Sequence, residues 1–365
     1  MNKIASIFLI FCLNAMLTFL YIYFVVGSFS MKEVTEVANP DTGACTNNIY
    51  ACYLWDIISY SYEEEGGILD RGFAGIIAML SIGTTGIHAV VLGQLFGSNS
   101  LSVILMVNSF FVALSVGLFP GGDKSRLISY ILFAPFFVVF SVGWTKEIIF
   151  ILALSFFVRS VVSGLRMHST FAILFTLLAR PQYSPLLFFA YWSKNISQYR
   201  LIFFLLLFLA LSPYWLALRP DVYIESAQVF YAGAAQGASV YTDYLKENIP
   251  IVSVLGYMAS ILKLYVEPII SLLTMEFGTI NVLILVQFYV WVVFAVALRK
   301  SSSKFYDNKI ILNLFLFYNV FVSALPFTQF RYLMPLLIVL VLYQRSMGIV
   351  MHAVKTRSVL GTAAI

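Results

Sequence analysis

The chain has 365 residues and a formal net charge of +5, with 61% hydrophobic and only 11% charged residues. Soluble domains carry about 25% charged residues, so this composition excludes an ordinary soluble protein. It predicts an all-α, polytopic integral membrane protein, folded as a single membrane domain over residues 1–365. Membrane lipid is therefore an expected partner, and nucleic acid is not.

Apolar segments recur along the chain at lengths that suit helices. A helix needs about 20 apolar residues to cross a bilayer, so the segments predict about 10–12 transmembrane helices. The first segment is longer than the apolar core of a signal peptide and has no convincing cleavage site, which predicts a retained first helix. The segments cover residues 4–27, 73–96, 101–119, 127–144, 147–165, 169–193, 201–217, 250–274, 279–298, 310–326 and 332–344.

Two long loops separate these segments, at residues 28–72 and 218–249. The first is acidic and holds eight of the 17 acidic residues of the chain. The second is rich in aromatic and small residues. Cys45 and Cys52 lie in the first loop, and a disulfide bond between them is expected if the loop faces an oxidising compartment.

Basic residues predict the orientation, because cytoplasmic loops of membrane proteins carry an excess of Lys and Arg. Lys3 predicts a cytoplasmic N-terminus, and Arg345 and Lys355 predict a cytoplasmic C-terminus. Residues 299–304 mark a further inside loop. Both long loops then lie outside the cytoplasm.

This orientation requires segments that do not cross the membrane simply. Segments 73–96 and 169–193 would be broken or re-entrant, and segment 250–274 would lie in the outer interface or dip in and return. In the alternative arrangement, segment 73–96 spans the membrane and the loops between residues 97 and 168 change sides. The distribution of basic residues favours the first arrangement.

Arg180 stands at the centre of one apolar run, residues 170–192. A charge there costs about 2.5–3.5 kcal/mol on insertion scales. Pro181 lacks an N–H group and disfavours helix at Ala179, so a helix break coincides with the charge. We expect such backbone to be shielded by protein or to line a wet cavity, with an anion as the partner of Arg180. The alternative is an arginine at a helix end that reaches the lipid headgroups.

Four groups of polar residues meet on the non-cytoplasmic side in this arrangement. They are Asp70 with Arg71, Lys146 with Glu147, Arg180 with Gln182, and Arg331 with Tyr332. Such cations can hold a pyrophosphate leaving group, and a carboxylate can take the proton from an attacking hydroxyl. The set therefore suits transfer of a sugar from a lipid phosphate. No cluster of Cys and His predicts a metal site, and no cofactor is expected.

The chain resembles the Wzy-type O-antigen polymerases, a family of bacterial oligosaccharide repeat-unit polymerases. The resemblance covers the whole chain in its size, its number of helices and the large outer loop in each half. Locally it rests on four stretches, which are Asp70-Arg71-Gly72-Phe73, Trp144-Thr145-Lys146-Glu147-Ile148-Ile149, Leu178-Ala179-Arg180-Pro181 and Phe330-Arg331-Tyr332-Leu333-Met334-Pro335.

The resemblance implies a glycosyltransferase of the bacterial inner membrane whose active site and two long loops face the periplasm. It would transfer a growing glycan from undecaprenyl pyrophosphate onto a new lipid-linked repeat unit, in the synthesis of lipopolysaccharide O-antigen. Either Glu147 or Asp70 would be the catalytic base. A chain-length regulator of the Wzz type is the expected partner. The residues expected to bind substrate are Arg71, Lys146, Arg180, Gln182, Arg331 and Tyr332.

Two other functions share parts of this pattern. Another membrane glycosyltransferase with a polyprenyl-linked donor, including the O-antigen ligase, has the same architecture and differs in its acceptor. A flippase for lipid-linked oligosaccharides also carries intramembrane cations, but flippases usually have two similar halves and short loops. The long loops at 28–72 and 218–249 indicate an external working surface and favour the polymerase.

Overall fold

A computed structural model describes residues 3–26, 101–142, 145–180, 183–212, 250–273, 282–306, 308–324 and 330–347. All regular structure in these ranges is helical, which confirms the predicted all-α class. The helices are α1 (Lys3–Tyr21), α2 (Leu101–Gly117), α3 (Asp123–Phe140), α4 (Lys146–Ser163), α5 (Arg166–Ala179), α6 (Ser184–Trp192), α7 (Gln198–Ala210), α8 (Pro250–Leu273), α9 (Val282–Tyr306), α10 (Lys309–Ala324) and α11 (Met334–Met347). The predicted loops 28–72 and 218–249 and segment 73–96 lie outside the described residues.

Three helices in the described part of the chain are long and apolar enough to cross a membrane. They cover Lys3–Phe24, Val252–Leu273 and Val282–Arg299. Shorter apolar helices cover Ser102–Gly117, Arg166–Ala179, Gln198–Ala210, Lys309–Ser323 and Met334–Met347. The predicted membrane character agrees with these helices, while the number of spans and the side of each loop remain predictions.

Two of the predicted helix interruptions, in segments 169–193 and 250–274, can be compared with the observed helix boundaries. Helix α5 ends at Ala179 and α6 begins at Ser184, so the predicted break at Arg180 is confirmed. Segment 250–274 forms one unbroken helix through Pro268, and the prediction that this segment dips in and returns is wrong. A proline is tolerated inside an apolar helix when neighbouring groups satisfy the backbone carbonyl that it leaves without a donor.

Helix α9 continues to Tyr306, beyond the predicted end of its apolar segment at residue 298. Residues 299–304 were predicted to form a loop because they are basic. A helix C-terminus also favours positive side chains, since the helix dipole concentrates negative charge there. Helix α10 begins after Asn308, whose Oδ1 accepts hydrogen bonds from the N–H groups of Ile310 (3.1 Å) and Ile311 (3.3 Å). Asn308 is thus the N-cap of α10.

The described helices belong to two compact units. The first contains α1 to α5, residues 292–305 and α11 from Pro335. The second contains α6 from Pro185, α7, α8, residues 282–291, α10 and the turn that precedes α11. Each unit is held together by its own set of contacts.

A helical hairpin forms the core of the first unit. Helix α4 is buried along almost its whole length and packs chiefly against α5. Gly164 ends α4 in the left-handed conformation (φ 69°), and a two-residue link leads directly into α5. Phe156 on α4 stacks on Phe175 of α5, with ring centroids 5.7 Å apart. The N-terminus of α4 therefore lies beside the C-terminus of α5, because so short a link makes the two helices antiparallel.

Helix α8 organises the second unit. It packs against α7 and α10. Ser253 on α8 donates a hydrogen bond to the carbonyl of Leu209 on α7 (2.8 Å). Tyr265 on α8 donates to Oδ1 of Asn319 on α10 (2.8 Å). Polar groups on apolar helices thus find their partners on the neighbouring helix, as expected where water is scarce.

A hydrogen-bonded network joins α1, α2 and α3 inside the first unit. Asn14 donates from Nδ2 to the hydroxyls of Ser109 (3.0 Å) and Ser141 (3.2 Å), and its Oδ1 accepts from Tyr130 (3.3 Å). Asn108 donates to the carbonyl of Ser141 (3.1 Å). All five side chains are buried. Because each bond satisfies a group that water does not reach, the network restricts how these three helices pack.

We expect Asn14→Leu to destabilise the protein. The substitution removes the partner that Ser109, Ser141 and Tyr130 share, and each polar group left unsatisfied in the interior costs about 1–3 kcal/mol. The melting temperature of the purified protein in detergent should fall. Phe8→Leu is the matched control, since Phe8 lies on the same helix and is 64% exposed. Equal melting temperatures for Asn14→Leu and the unsubstituted protein would contradict the network's contribution to stability.

Candidate functional site

Arg180 lies in the turn that follows α5. Its backbone N–H donates to the carbonyl of Thr176 (2.7 Å), and its own carbonyl accepts from the N–H of Tyr183 (2.9 Å). The backbone of Arg180 is not helical (φ −152°, ψ 78°), as expected next to Pro181. Arg180 is only 6% exposed. This burial inside the protein does not fit the alternative in which Arg180 reaches out to the lipid headgroups.

The partner of Arg180 is Glu147, in the first turn of α4. Nη2 of Arg180 donates to Oε1 of Glu147 over 3.0 Å, and both side chains are almost fully buried. A carboxylate in the first turn of a helix is also stabilised by the positive end of the helix dipole. The hairpin of α4 and α5 brings the two residues together, although they are 33 positions apart in the chain.

Aromatic rings border the ion pair. Cζ of Arg180 lies 5.5 Å from the centroid of the Tyr183 ring, a distance that suits a cation–π contact. Phe150 on α4 packs edge-on against Tyr183, with centroids 5.0 Å apart. Tyr183 is fully buried and was not among the predicted site residues. Its position three residues after Arg180, just past a helix break, is the signal in the sequence that could have pointed to it.

Lys146 is buried beside Glu147 in the same helical turn. Adjacent residues of an α-helix point about 100° apart, so the side chains of Lys146 and Glu147 leave α4 in different directions.

Arg331 and Tyr332 belong to the second unit, in a short 3₁₀ turn at Phe330–Tyr332. Both are half-buried. Cζ of Arg331 lies 5.3 Å from the centroid of the Tyr332 ring. The carbonyl of Tyr332 accepts a hydrogen bond from the hydroxyl of Tyr318 (2.7 Å). The predicted arginine–tyrosine pair is therefore held in a defined turn of its own.

The predicted site residues are thus only partly assembled. Among the described residues, the structure brings Glu147 and Arg180 into contact and keeps Lys146 in the same turn. Asp70, Arg71, Gln182, Cys45 and Cys52 lie outside the described residues. The convergence of all four polar groups and the disulfide bond remain predictions. The described ranges contain no group of three His, Cys, Asp or Glu side chains that could hold a metal ion.

Comparison with known proteins adds no relative. No family model, no curated protein and no solved structure matches the chain. The resemblance to Wzy-type polymerases therefore rests on the four short stretches and the layout of the chain. The chemistry open to the site follows from Arg180, Glu147 and the groups around them.

The ion pair can exchange partners with an anionic ligand. A buried arginine requires a negative partner, and Glu147 supplies it in the structure described here. Phosphate can take the place of the carboxylate, because the guanidinium group binds both through the same planar set of N–H donors. The carboxylate released in this way can accept a proton. The arrangement therefore suits a reaction in which an anion binds and a nearby hydroxyl loses a proton.

We expect Arg180→Ala to reduce stability strongly. It leaves the buried carboxylate of Glu147 without its arginine, and breaking a buried ion pair from one side costs about 3–5 kcal/mol. The double substitution Arg180→Met with Glu147→Leu should recover most of the loss, because apolar residues of similar volume can replace a buried pair. Thermal unfolding in detergent, followed by fluorescence, measures both. If the double variant melts as low as Arg180→Ala, the ion pair is not the cause.

Proposed function

We propose that this protein is an O-antigen polymerase, a glycosyltransferase that joins undecaprenyl-pyrophosphate-linked oligosaccharide repeat units. The observation that carries the proposal is the buried pair of Arg180 and Glu147 at a helix break. An arginine held in this way can bind a phosphate, and its carboxylate partner can accept a proton. The resemblance of four stretches to Wzy-type polymerases supports the same assignment.

We further propose that the chain is a multi-pass protein of the bacterial inner membrane, with its active site facing the periplasm. Three helices of sufficient length and apolar character and the mean hydropathy of +0.91 support the membrane location. The distribution of basic residues supports the orientation. The two long loops at 28–72 and 218–249 would then lie in the periplasm, where a chain-length regulator of the Wzz type would be the partner.

In the proposed reaction, a hydroxyl of the acceptor repeat unit attacks the anomeric carbon of the donor glycan. The new carbon–oxygen bond forms as the bond between the anomeric carbon and the pyrophosphate oxygen breaks. Undecaprenyl pyrophosphate leaves as an anion, and Arg180 stabilises the charge that develops on it. Glu147 takes the proton of the attacking hydroxyl. Asp70, which lies outside the described residues, is the alternative base.

The ion pair links donor binding to proton transfer. While Arg180 holds Glu147, one oxygen of this carboxylate is occupied by the N–H donor of the guanidinium group. When the donor phosphate binds Arg180, the carboxylate is released. In this proposal, Glu147 is then free to contact the attacking hydroxyl only when the donor is present.

Deletion of the gene tests the proposal through the surface polysaccharide, separated on a gel. We expect lipid A core carrying a single repeat unit and no ladder of longer chains, because the unit is still made, flipped and ligated. Loss of every repeat-unit band would point to a flippase, a ligase or an earlier transferase. An unchanged ladder would exclude the protein from the pathway.

Complementation of the deletion strain tests the site. The double variant Arg180→Met with Glu147→Leu should accumulate in the membrane and fail to restore the ladder, because it keeps the packing and removes both reacting groups. Met167→Leu is the matched control, since Met167 lies at the far end of α5 and is 63% exposed. The control should restore the ladder in full. A full ladder from the double variant would remove Arg180 and Glu147 from the reaction.

A further inference from the structure

A carboxylate on α8 contacts the turn that carries Arg331. Oε2 of Glu267 accepts a hydrogen bond from the backbone N–H of Phe330 (3.0 Å), at the first residue of the turn. The hydroxyl of Tyr318, on α10, donates to the carbonyl of Tyr332 at the last residue (2.7 Å). The N–H of Leu333 closes the turn by donating to the carbonyl of Phe330 (2.8 Å). The backbone is therefore held on both sides of Arg331, by a side chain of α8 at Phe330 and by a side chain of α10 at Tyr332.

Glu267 is an acidic residue within an apolar helix. The helix is apolar enough to cross a membrane, and an acidic side chain in such a helix is unfavourable without a specific partner. Glu267 is half-buried. The backbone amide of Phe330 supplies such a partner from outside α8.

The surroundings of Glu267 are positively charged. Lys263, one helical turn earlier on α8, and Arg331 both interact electrostatically with its carboxylate. Glu267 thus lies near two cations and holds the backbone of the turn at Phe330, the residue before Arg331.

We propose that Glu267 is a positioning residue that sets the orientation of Arg331 for the lipid-linked substrate. The inference rests on the proposed function and on the resemblance to Wzy-type polymerases, which implies that Arg331 binds substrate. Glu267 acts through Arg331 and does not itself touch the reacting atoms. Holding the turn before substrate binds reduces the ordering that binding requires, so the contribution of Glu267 lies in substrate binding more than in the chemical step.

The kinetic test uses the full-length protein in proteoliposomes with undecaprenyl-pyrophosphate-linked repeat units from a polymerase-deficient strain. Glu267→Ala should raise KM about 10- to 100-fold, the range expected for loss of one hydrogen bond to a charged group, with a smaller effect on kcat. Glu267→Gln should recover most of the loss, because its amide oxygen can accept the same bond from Phe330. An unchanged KM in Glu267→Ala, or equal impairment in both variants, would overturn the proposal.

Tyr265→Phe is the matched control. It removes the hydrogen bond between Tyr265 on α8 and Asn319 on α10, the two helices whose side chains hold the turn. Tyr265 is only two residues from Glu267, and this bond does not involve the turn. Its KM should stay near that of the unsubstituted protein. A rise in KM equal to that of Glu267→Ala would show that any loosening of α8 against α10 has the same result, which would also overturn the proposal.

Hydrogen–deuterium exchange separates this inference from the proposed function. The amide of Phe330 should exchange faster in Glu267→Ala than in Glu267→Gln or Tyr265→Phe, whatever reaction the protein catalyses. Unchanged exchange in Glu267→Ala would overturn the role of Glu267 in holding the turn. If exchange behaves as expected but the unsubstituted protein makes no polymer from lipid-linked units, the proposed function fails while the contact between Glu267 and the turn stands.

Discussion

A charged or polar group buried among apolar side chains must find its partner within the protein, and this constraint governs the fold of both units. The ion pair between Arg180 and Glu147 is its clearest consequence, because neither residue has ready access to water. The amide network around Asn14 follows the same requirement with uncharged groups. In each case, the need to satisfy buried groups selects one packing of helices whose apolar surfaces alone would tolerate several.

The candidate site follows from the way α4 and α5 form a hairpin. Gly164 allows the chain to reverse within two residues, because its left-handed conformation is accessible to glycine without strain. The ring stack of Phe156 on Phe175 sets the register of the two helices. Glu147 then meets Arg180 at the open end of the hairpin, where the helix break has already turned the arginine backbone. Packing in the middle of the hairpin thus positions the charges at its end.

The two units use carboxylates in different ways. Glu147 meets an arginine side chain directly, so this contact joins two helices. Glu267 accepts a hydrogen bond from a backbone N–H, so this contact holds the conformation of the turn that contains Arg331. In the proposed reaction, the first contact is exchanged when the donor phosphate binds, whereas the second keeps the turn in place.

The sequence by itself determined the helical class, the apolar segments and the break at Arg180, because hydropathy and the missing N–H of proline act over a few residues. It did not reveal that α9 would extend through residues 299–304, and it left open whether segment 250–274 would form one helix or dip in and return. Only the tertiary structure decided which groups meet. Glu147 and Arg180 are 33 residues apart and Glu267 and Phe330 are 63 apart, so their contacts depend on helix register and packing, which local sequence patterns do not encode.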